Sequence, residues 1–526
     1  MLVGLDVILG LLVAVAALAL LARKISVPYP VLLVIGGLAL ALTPGVPEIK
    51  LDPHVIFILF LPPLLYPAAL FTSWRDFRAN LRPIILLAVG LVVFTTCAVG
   101  WFAHSIVAEL PLAAAFILGA VVSPPDAVAA TAVMERLNVP RRIVTVIEGE
   151  SLVNDATALV AYGFAIEALN GGSFSLGQAG VQFVVVCGGG IAVGLLIGWI
   201  ASHVQRRLDD PPVQITISLL TPFAAYLPAS QLGASGVLAV VTAGLYLGWR
   251  SPLIINSRMR LQAGPVWEMV EFLLNGLVFI LIGLQLKEVV HDLLKTRSAP
   301  RLCWEAALIC ALVILVRFLW VFVATYLPRW MSRKLRERDP APDWRLVTIV
   351  AWTGMRGVVS LAAAMALPSR LADQTQCNII IFFTFVVILV TLVLQGLTLP
   401  YLIRWLNVTD TGETDREERH ARLKANQAAL ARLGELEING NFGQGLLQRL
   451  RVEYDDRLRQ LEACEPAADG HHHLLSADYE ELQREALRVE RQTILQLRSE
   501  RFISDHAFRR IQRDIDLAEA RLHQRN

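Results

Sequence analysis

Charge is scarce in this chain. Asp, Glu, Lys and Arg make up 17% of the 526 residues against 55% hydrophobic ones, with a mean hydropathy of +0.55, whereas soluble domains carry about 25% charged residues. An ordinary water-soluble globule is excluded, and a polytopic protein embedded in a lipid bilayer is the reading that remains. The few charges nearly cancel, to a net +2, so no general attraction to nucleic acid follows. Cysteine is scarce too. The six present (Cys97, Cys187, Cys303, Cys310, Cys377, Cys464) form no CxxC pair, and all but Cys464 fall in or beside apolar segments. That excludes a disulfide framework or a cysteine-held zinc site and leaves small packing residues. The first apolar run lacks a basic leader and a small-residue cleavage site, so it reads as a retained first span.

What is present is a series of long apolar runs. Stretches able to cross a bilayer number about thirteen: 2–22, 28–44, 54–71, 83–105, 111–134, 143–167, 180–203, 213–228, 234–249, 264–286, 302–327, 346–368 and 378–405. The fold class expected is all-α, with a transmembrane domain over 1–406 and a helical tail over 407–526. Roughly nineteen basic residues lie in odd-numbered loops and six in even-numbered ones, which places the odd loops and the tail in the cytoplasm and the N-terminus outside, across a cell (inner) membrane. The loop with Lys287, Lys295, Arg297 and Arg301 carries more positive charge than its assigned side predicts.

Within this apolar frame, four polar residues stand out. Glu150, Ser151, Asn154 and Asp155 occur at i, i+1, i+4 and i+5 of the run 143–165, a spacing that gathers them on one helical face. An ionised group at mid-bilayer costs about 2.5–3.5 kcal/mol even on lenient scales, so such residues face a partner charge, a polar path or an ion. Spans 1–6 and 8–13 are candidate inverted repeats around span 7, and the fifth member of each unit carries a helix breaker: Ser123-Pro124-Pro125-Asp126 in one, Thr353-Gly354-Met355-Arg356-Gly357 in the other. Paired prolines remove backbone donors and paired glycines weaken a helix, so both spans are expected to unwind and cross near mid-membrane.

Asp126, Asp155 and Glu150 then set three negative charges against Arg356. Protons or bound cations must meet the surplus. The oxygens of Asp126, Asp155 and Ser151, with backbone carbonyls at the break, suit a hard monovalent cation. When the ion leaves, mutual repulsion of the carboxylates favours capture of a proton, and competition for one site yields exchange if only loaded forms cross between inward-facing and outward-facing states. No enzyme activity and no cofactor beyond the transported ions is expected. A cation channel is the alternative, with an intramembrane aspartyl protease further off, because Asn154-Asp155 and Pro125-Asp126 are not Gly-x-Gly-Asp contexts.

The segments SPPDAVAATAVMERL, EGESLVNDATALV and TGMRGVVSLAAAMALP resemble the first family of monovalent cation/proton antiporters, which includes bacterial sodium/proton antiporters and animal sodium/hydrogen exchangers. The resemblance covers the whole membrane part. It implies exchange of sodium, or else potassium or lithium, for protons in a homodimer. It matches the broken-helix aspartate to Asp126, the Asn-Asp pair to Asn154 and Asp155, and the preceding Glu-Ser to Glu150 and Ser151, and it pairs Arg356 with Glu150. A neutral Asn154 implies one-for-one, electroneutral exchange. Two positions depart from the pattern: Pro125-Asp126-Ala127 stands where many relatives have Thr-Asp-Pro, and Pro67 stands where many have an acidic residue after Leu61-Pro62-Pro63. Ion preference is therefore not transferable from relatives.

Beyond Arg404 the chain turns charged and rich in Leu and Arg. Helical apolar spacing recurs over 414–436, 445–461, 477–499 and 505–522, and His471-His472-His473 lies between them without spaced Cys or carboxylate partners, so it reads as polar surface in preference to a metal site.

Overall fold

The computed structural model describes residues 2–25, 29–43, 58–169, 176–367, 374–408, 413–438, 444–463 and short pieces between 487 and 518. Every regular element among the described residues is a helix. The chain divides into two compact units, Met1–Asp410 and Thr411–Asn526.

In the first unit, α1 (Leu2–Ile25), α2 (Tyr29–Leu42) and α3 (Leu61–Phe71) precede a short helix, α4 (Trp74–Ala79), which Ser73 caps through its side chain. Then follow α5 (Leu81–Ile106), α6 (Leu112–Val122), α7 (Val128–Arg136), α8 (Arg141–Leu169) and α9 (Leu176–Gln205). The second half holds α10 (Pro211–Gln231), α11 (Gly236–Ile254), α12 (Ser257–Thr296), α13 (Ala299–Met331), α14 (Arg333–Arg338), α15 (Trp344–Trp352), α16 (Val358–Met365) and α17 (Gln374–Trp405). Among the described residues, eight helices are long and apolar enough to cross a membrane, and α2, α3 and α6 are shorter apolar helices. Both expected breaks are present, between α6 and α7 and between α15 and α16. The turn between α10 and α11 is made by Gly233 in the left-handed region, at φ +70°, where a Cβ is disfavoured.

Packing sets the position of α8. Its residues Ile143 and Ile147, Ala165 and Ile166, Leu152 and Ala156, and Val146 enter four separate apolar clusters of the unit. The polar stripe is thereby carried into the centre of the helix assembly. Elsewhere close approach replaces bulk: a Cβ on Gly37 would sit 2.2 Å from the Ile280 carbonyl and one on Gly283 would sit 2.4 Å from the Val34 carbonyl, so α2 and α12 meet backbone to backbone. In a bilayer, where burial of apolar groups gives helices little reason to associate, such small-residue contacts supply the van der Waals packing.

The anomalous basic loop has a physical explanation. Helix α12 extends to Thr296, and three of the loop's four basic groups are paired: Lys295 with Asp292 at 2.9 Å, Arg297 with Glu305 at 2.8 Å and also with Glu109, and Arg301 with Glu305 at 2.8 Å. A count of basic residues alone treats these as free charge. At the opposite end of α13, Asp339 collects Arg82 at 3.6 Å, Arg142 at 3.0 Å and Arg329 at 2.6 Å.

The second unit contributes α18 (Glu413–Ile438) and α19 (Gln444–Ala463), which pack on one another with Arg451 3.3 Å from Glu437. A small apolar cluster joins Leu487, Ile494 and Ile515. The tri-His segment and most of 477–499 and 505–522 lie outside the described residues.

Candidate cation site

The two breaks touch. The Asp126 N–H donates to the Met355 carbonyl at 2.7 Å, joining the first break to the second through the backbone. Pro124 and Pro125 have no N–H and the Asp126 N–H is turned to Met355, so carbonyls before the break lose helical partners, and side chains take over. The Val122 carbonyl accepts from Arg356 Nε at 3.0 Å, and the Pro125 carbonyl accepts from Asn154 Nδ2 at 2.7 Å. Arg356 Nη1 also bonds the Gly354 carbonyl, and the Arg356 N–H donates to Thr391 Oγ1 at 3.2 Å. One guanidinium therefore holds a carbonyl from each break. Thr391 itself opens the π turn Thr391–Gln395 inside α17, and such turns recur at functional sites.

Gly357 makes room for the aspartate. A Cβ built there would fall 1.8 Å from Asp126 Oδ2 and 2.5 Å from Asp126 Cγ, so only glycine leaves the carboxylate in place. Asp126 Oδ1 accepts from the Val128 N–H at 2.9 Å, which leaves Oδ2 for other partners. On α8, Ser151 Oγ accepts a long bond of 3.4 Å from the Ala127 N–H, and Asn154 is fully buried with its Oδ1 lacking a partner among the described residues. Asp155 is 6% exposed. Its carboxylate takes part in no hydrogen bond or ion pair among the described residues, and Asp126 lies within electrostatic reach of it.

Glu150 departs from expectation. Its carboxylate is paired with Arg317 and not with Arg356: Arg317 Nη1 and Nη2 donate to Glu150 Oε1 and Oε2 at 2.6 and 2.9 Å in a two-pronged bridge. Arg317 is 0% exposed and Glu150 1%, and Nη2 also donates to the Val350 carbonyl at 3.1 Å just before the second break. The physical reason for the correction is supply: Arg317 sits mid-way along α13 and satisfies both carboxylate oxygens in fork geometry, while the Arg356 guanidinium is occupied by two carbonyls. The signal was available in the sequence. Between Glu305 and Arg329, Arg317 is the sole charged residue in an apolar run, and a charge count confined to the two breaks omits it. With both arginines included, three carboxylates face two guanidinium groups, and the unmatched negative charge falls to Asp126 and Asp155.

The structure thus brings Asp126, Ser151, Asn154 and Asp155 together at the crossing of Pro124-Pro125 and Gly354–Gly357. It sets Glu150 and Arg317 aside as a closed pair. Pro67 is buried inside α3 and brings no carboxylate. The oxygens left without partners among the described residues, Asp126 Oδ2, the Asp155 carboxylate and Asn154 Oδ1, are hard donors of the kind an alkali cation takes.

Broken helices crossing around buried carboxylates define an ion-coupled secondary transporter, a multi-pass membrane protein. The family model described as sodium/hydrogen exchanger, transmembrane, matches residues 10–405, and the chain belongs to that family. It is 37% identical over 99% of its length to an uncharacterised Na+/H+ exchanger of Mycobacterium bovis, covering 96% of that protein. It is 34% identical to a sodium, potassium, lithium and rubidium/H+ antiporter of Bacillus pumilus, over 81% of this chain and 65% of the relative. The sodium/proton antiporter NhaP1 of Methanocaldococcus jannaschii shares the fold, with a TM-score of 0.61 at 20% identity over 77% of this chain and 99% of that one.

Proposed function

We propose that the chain exchanges sodium, with potassium and lithium as alternatives, for protons one for one, at a site formed by Asp126, Asp155 and Ser151 with Asn154 beside them. The observation that carries this reading is the Asp155 carboxylate, buried and without a partner among the described residues. A carboxylate in that position must hold either a proton or a cation, since an unpaired charge in a low-dielectric interior is costly.

Charge balance supports one-for-one exchange. Glu150 and Arg317 cancel. Asp126 and Asp155, both ionised, balance Arg356 plus one bound cation. When the cation leaves, a single proton on the pair restores the same sum, so the loaded forms carry equal charge across the membrane. The empty site keeps an uncompensated charge, and its passage through the apolar barrier is disfavoured, which couples the two ions. The Bacillus relative is named for four alkali cations, in keeping with a site whose ligands are few and whose Pro125 and Pro67 replace donors.

The same reading places the N-terminus outside and the tail 407–526 in the cytoplasm as a helical domain, in a cell (inner) membrane, with the chain as a homodimer. The test is reconstitution of the full chain in vesicles with a proton-sensitive dye, pulsed with sodium, potassium or lithium salts. Wild type moves protons against each transported cation at zero membrane potential, at a rate insensitive to a clamped potential. Asp155→Asn and Asp126→Asn abolish the signal. Full exchange by Asp155→Asn, or a rate that tracks the potential, refutes the site or the stoichiometry respectively.

A further inference from the structure

The first turn of α16 carries a buried hydroxyl that the site as described does not use. Ser360 stands three residues after the N-cap Gly357. It is 2% exposed, and its Oγ has no partner among the described residues. Helical hydroxyls elsewhere in this unit bond the carbonyl four residues back, as Thr131 does with Ala127, Thr157 with Val153 and Thr391 with Val387. For Ser360 that carbonyl belongs to Arg356, which precedes the N-cap and lies in the unwound segment. The usual local bond is lost, and the hydroxyl is left for another partner.

Its direction follows from the helix. Positions 357, 360 and 364 share one face, and both ends of that face meet the first break. At one end a Cβ on Gly357 would overlap Asp126 Oδ2. At the other, Ala364 enters the apolar cluster that holds Val121 and Val122, in the last turn of α6. Side chains of a helix tilt toward its N-terminus, which turns Ser360 away from Ala364 and toward Gly357 and the Asp126 carboxylate. Asp126 Oδ1 is engaged by the Val128 N–H, so Oδ2 is the oxygen open on this side.

We infer that Ser360 is a further oxygen ligand of the transported cation, supplied by the second broken helix beside Asp126 Oδ2. The inference rests on the exchange reading of the site and adds to its ligand set. Pro125 and Pro67 bring no side-chain oxygen to the site, whereas the Ser360 hydroxyl is a hard donor of the kind an alkali cation takes. When the cation leaves, the same hydroxyl donates to the Asp126 carboxylate. It therefore has a partner in both loaded forms.

The test is Ser360→Ala in the full chain, which removes the oxygen and adds no bulk. Alanine favours a helix and no hydrogen bond within the fold is lost, so the melting temperature measured without sodium stays at or above the wild-type value. In vesicles the sodium concentration for half-maximal exchange rises about fivefold, as expected for the loss of one neutral polar contact, and the maximal rate changes less. The ratio of the sodium to the potassium half-saturation shifts as well, which a packing role alone does not move. A second measurement needs no turnover: sodium chloride raises the melting temperature of the purified wild type above its value in choline chloride, because a bound ligand stabilises the fold, and the rise is smaller in Ser360→Ala. Half-saturation for sodium and potassium unchanged in Ser360→Ala overturns the assignment. So does a variant that melts lower than wild type without sodium, or fails to fold, since the hydroxyl is then bonded within the fold. Absence of exchange by wild type itself overturns the exchange reading instead, so the two failures are distinguishable.

Discussion

The Glu150–Arg317 bridge makes a quantitative prediction. Both side chains are essentially inaccessible, at 1% and 0% exposure, and the bridge is two-pronged at 2.6 and 2.9 Å, so solvent screening is minimal. Removing one partner strands a charge in the interior, which costs about 3–5 kcal/mol, whereas replacing both by apolar residues of similar size is close to neutral. Arg317→Met and Glu150→Leu should each destabilise by about that amount, and the double variant by far less. It should not be fully neutral. Losing Arg317 also leaves the Val350 carbonyl without its 3.1 Å donor, at a cost of about 1–3 kcal/mol. The single losses sum to about 6–10 kcal/mol and the double variant loses about 1–3 kcal/mol, so the coupling energy from the cycle is about 3–9 kcal/mol, at or above the upper end for contacting pairs. The control cycle combines Glu150→Leu with Arg356→Met. Arg356 is bonded to the Val122 and Gly354 carbonyls, so its removal destabilises in its own right but couples to Glu150 less strongly than Arg317 does. The assay is denaturant unfolding of purified protein in mixed micelles, followed by intrinsic tryptophan fluorescence. Additive losses for Glu150 and Arg317 together with strong coupling between Glu150 and Arg356 refute the assignment of partners.

Gly357→Ala should abolish cation-evoked proton movement while leaving the helices intact by circular dichroism, because the added methyl would overlap the Asp126 carboxylate at 1.8 Å; normal flux in this variant refutes the placement of Asp126. Gly354→Ala should lower the melting temperature, because its Cβ would meet Arg317 Cδ at 2.5 Å and Arg356 Nη1 at 2.9 Å, on side chains held by Glu150 and by the Val122 carbonyl; an unchanged melting temperature refutes the placement of the two arginines. Asn154→Asp should make transport sensitive to a clamped potential, since a second ionisable group enters the site; unchanged insensitivity counts against the charge balance proposed above. For Asp339, burial raises the carboxyl, but the hydrogen bond from Arg142 and the charges of Arg329 and Arg142 outweigh it and hold it below the ordinary range. A carboxyl depressed in the folded state contributes stability that is present above the unfolded value near about 4 and is lost as pH falls through the folded value. The melting temperature of Asp339→Asn should therefore lie below wild type from pH 5 to 8, with the gap narrowing below about pH 4; a constant gap contradicts the network.

The fold was legible in the sequence wherever the bilayer constrains it. Apolar run length follows from membrane thickness, and the Pro124-Pro125 and Gly354–Gly357 breakers mark where the backbone leaves the helix, so the helices and both breaks could be placed by composition and spacing. The stripe at Glu150, Ser151, Asn154 and Asp155 could be placed on one face for the same reason. What the one-dimensional reading does not contain is which charge meets which. Arg317 and Arg356 are both buried and both border Gly354, and only the approach of α13 to α8 decides that the first reaches Glu150. Sequence separation hides that approach, since the partners stand 167 residues apart. The division of the stripe follows from it. A carboxylate answered in both oxygens by a fork of two N–H donors is closed to a cation, and the one on the next turn, with no donor directed at it, is open. On the exchange proposed above, which carboxylate is left for a cation is decided less by the acidic residues of the stripe than by the arginine that removes one of them from use.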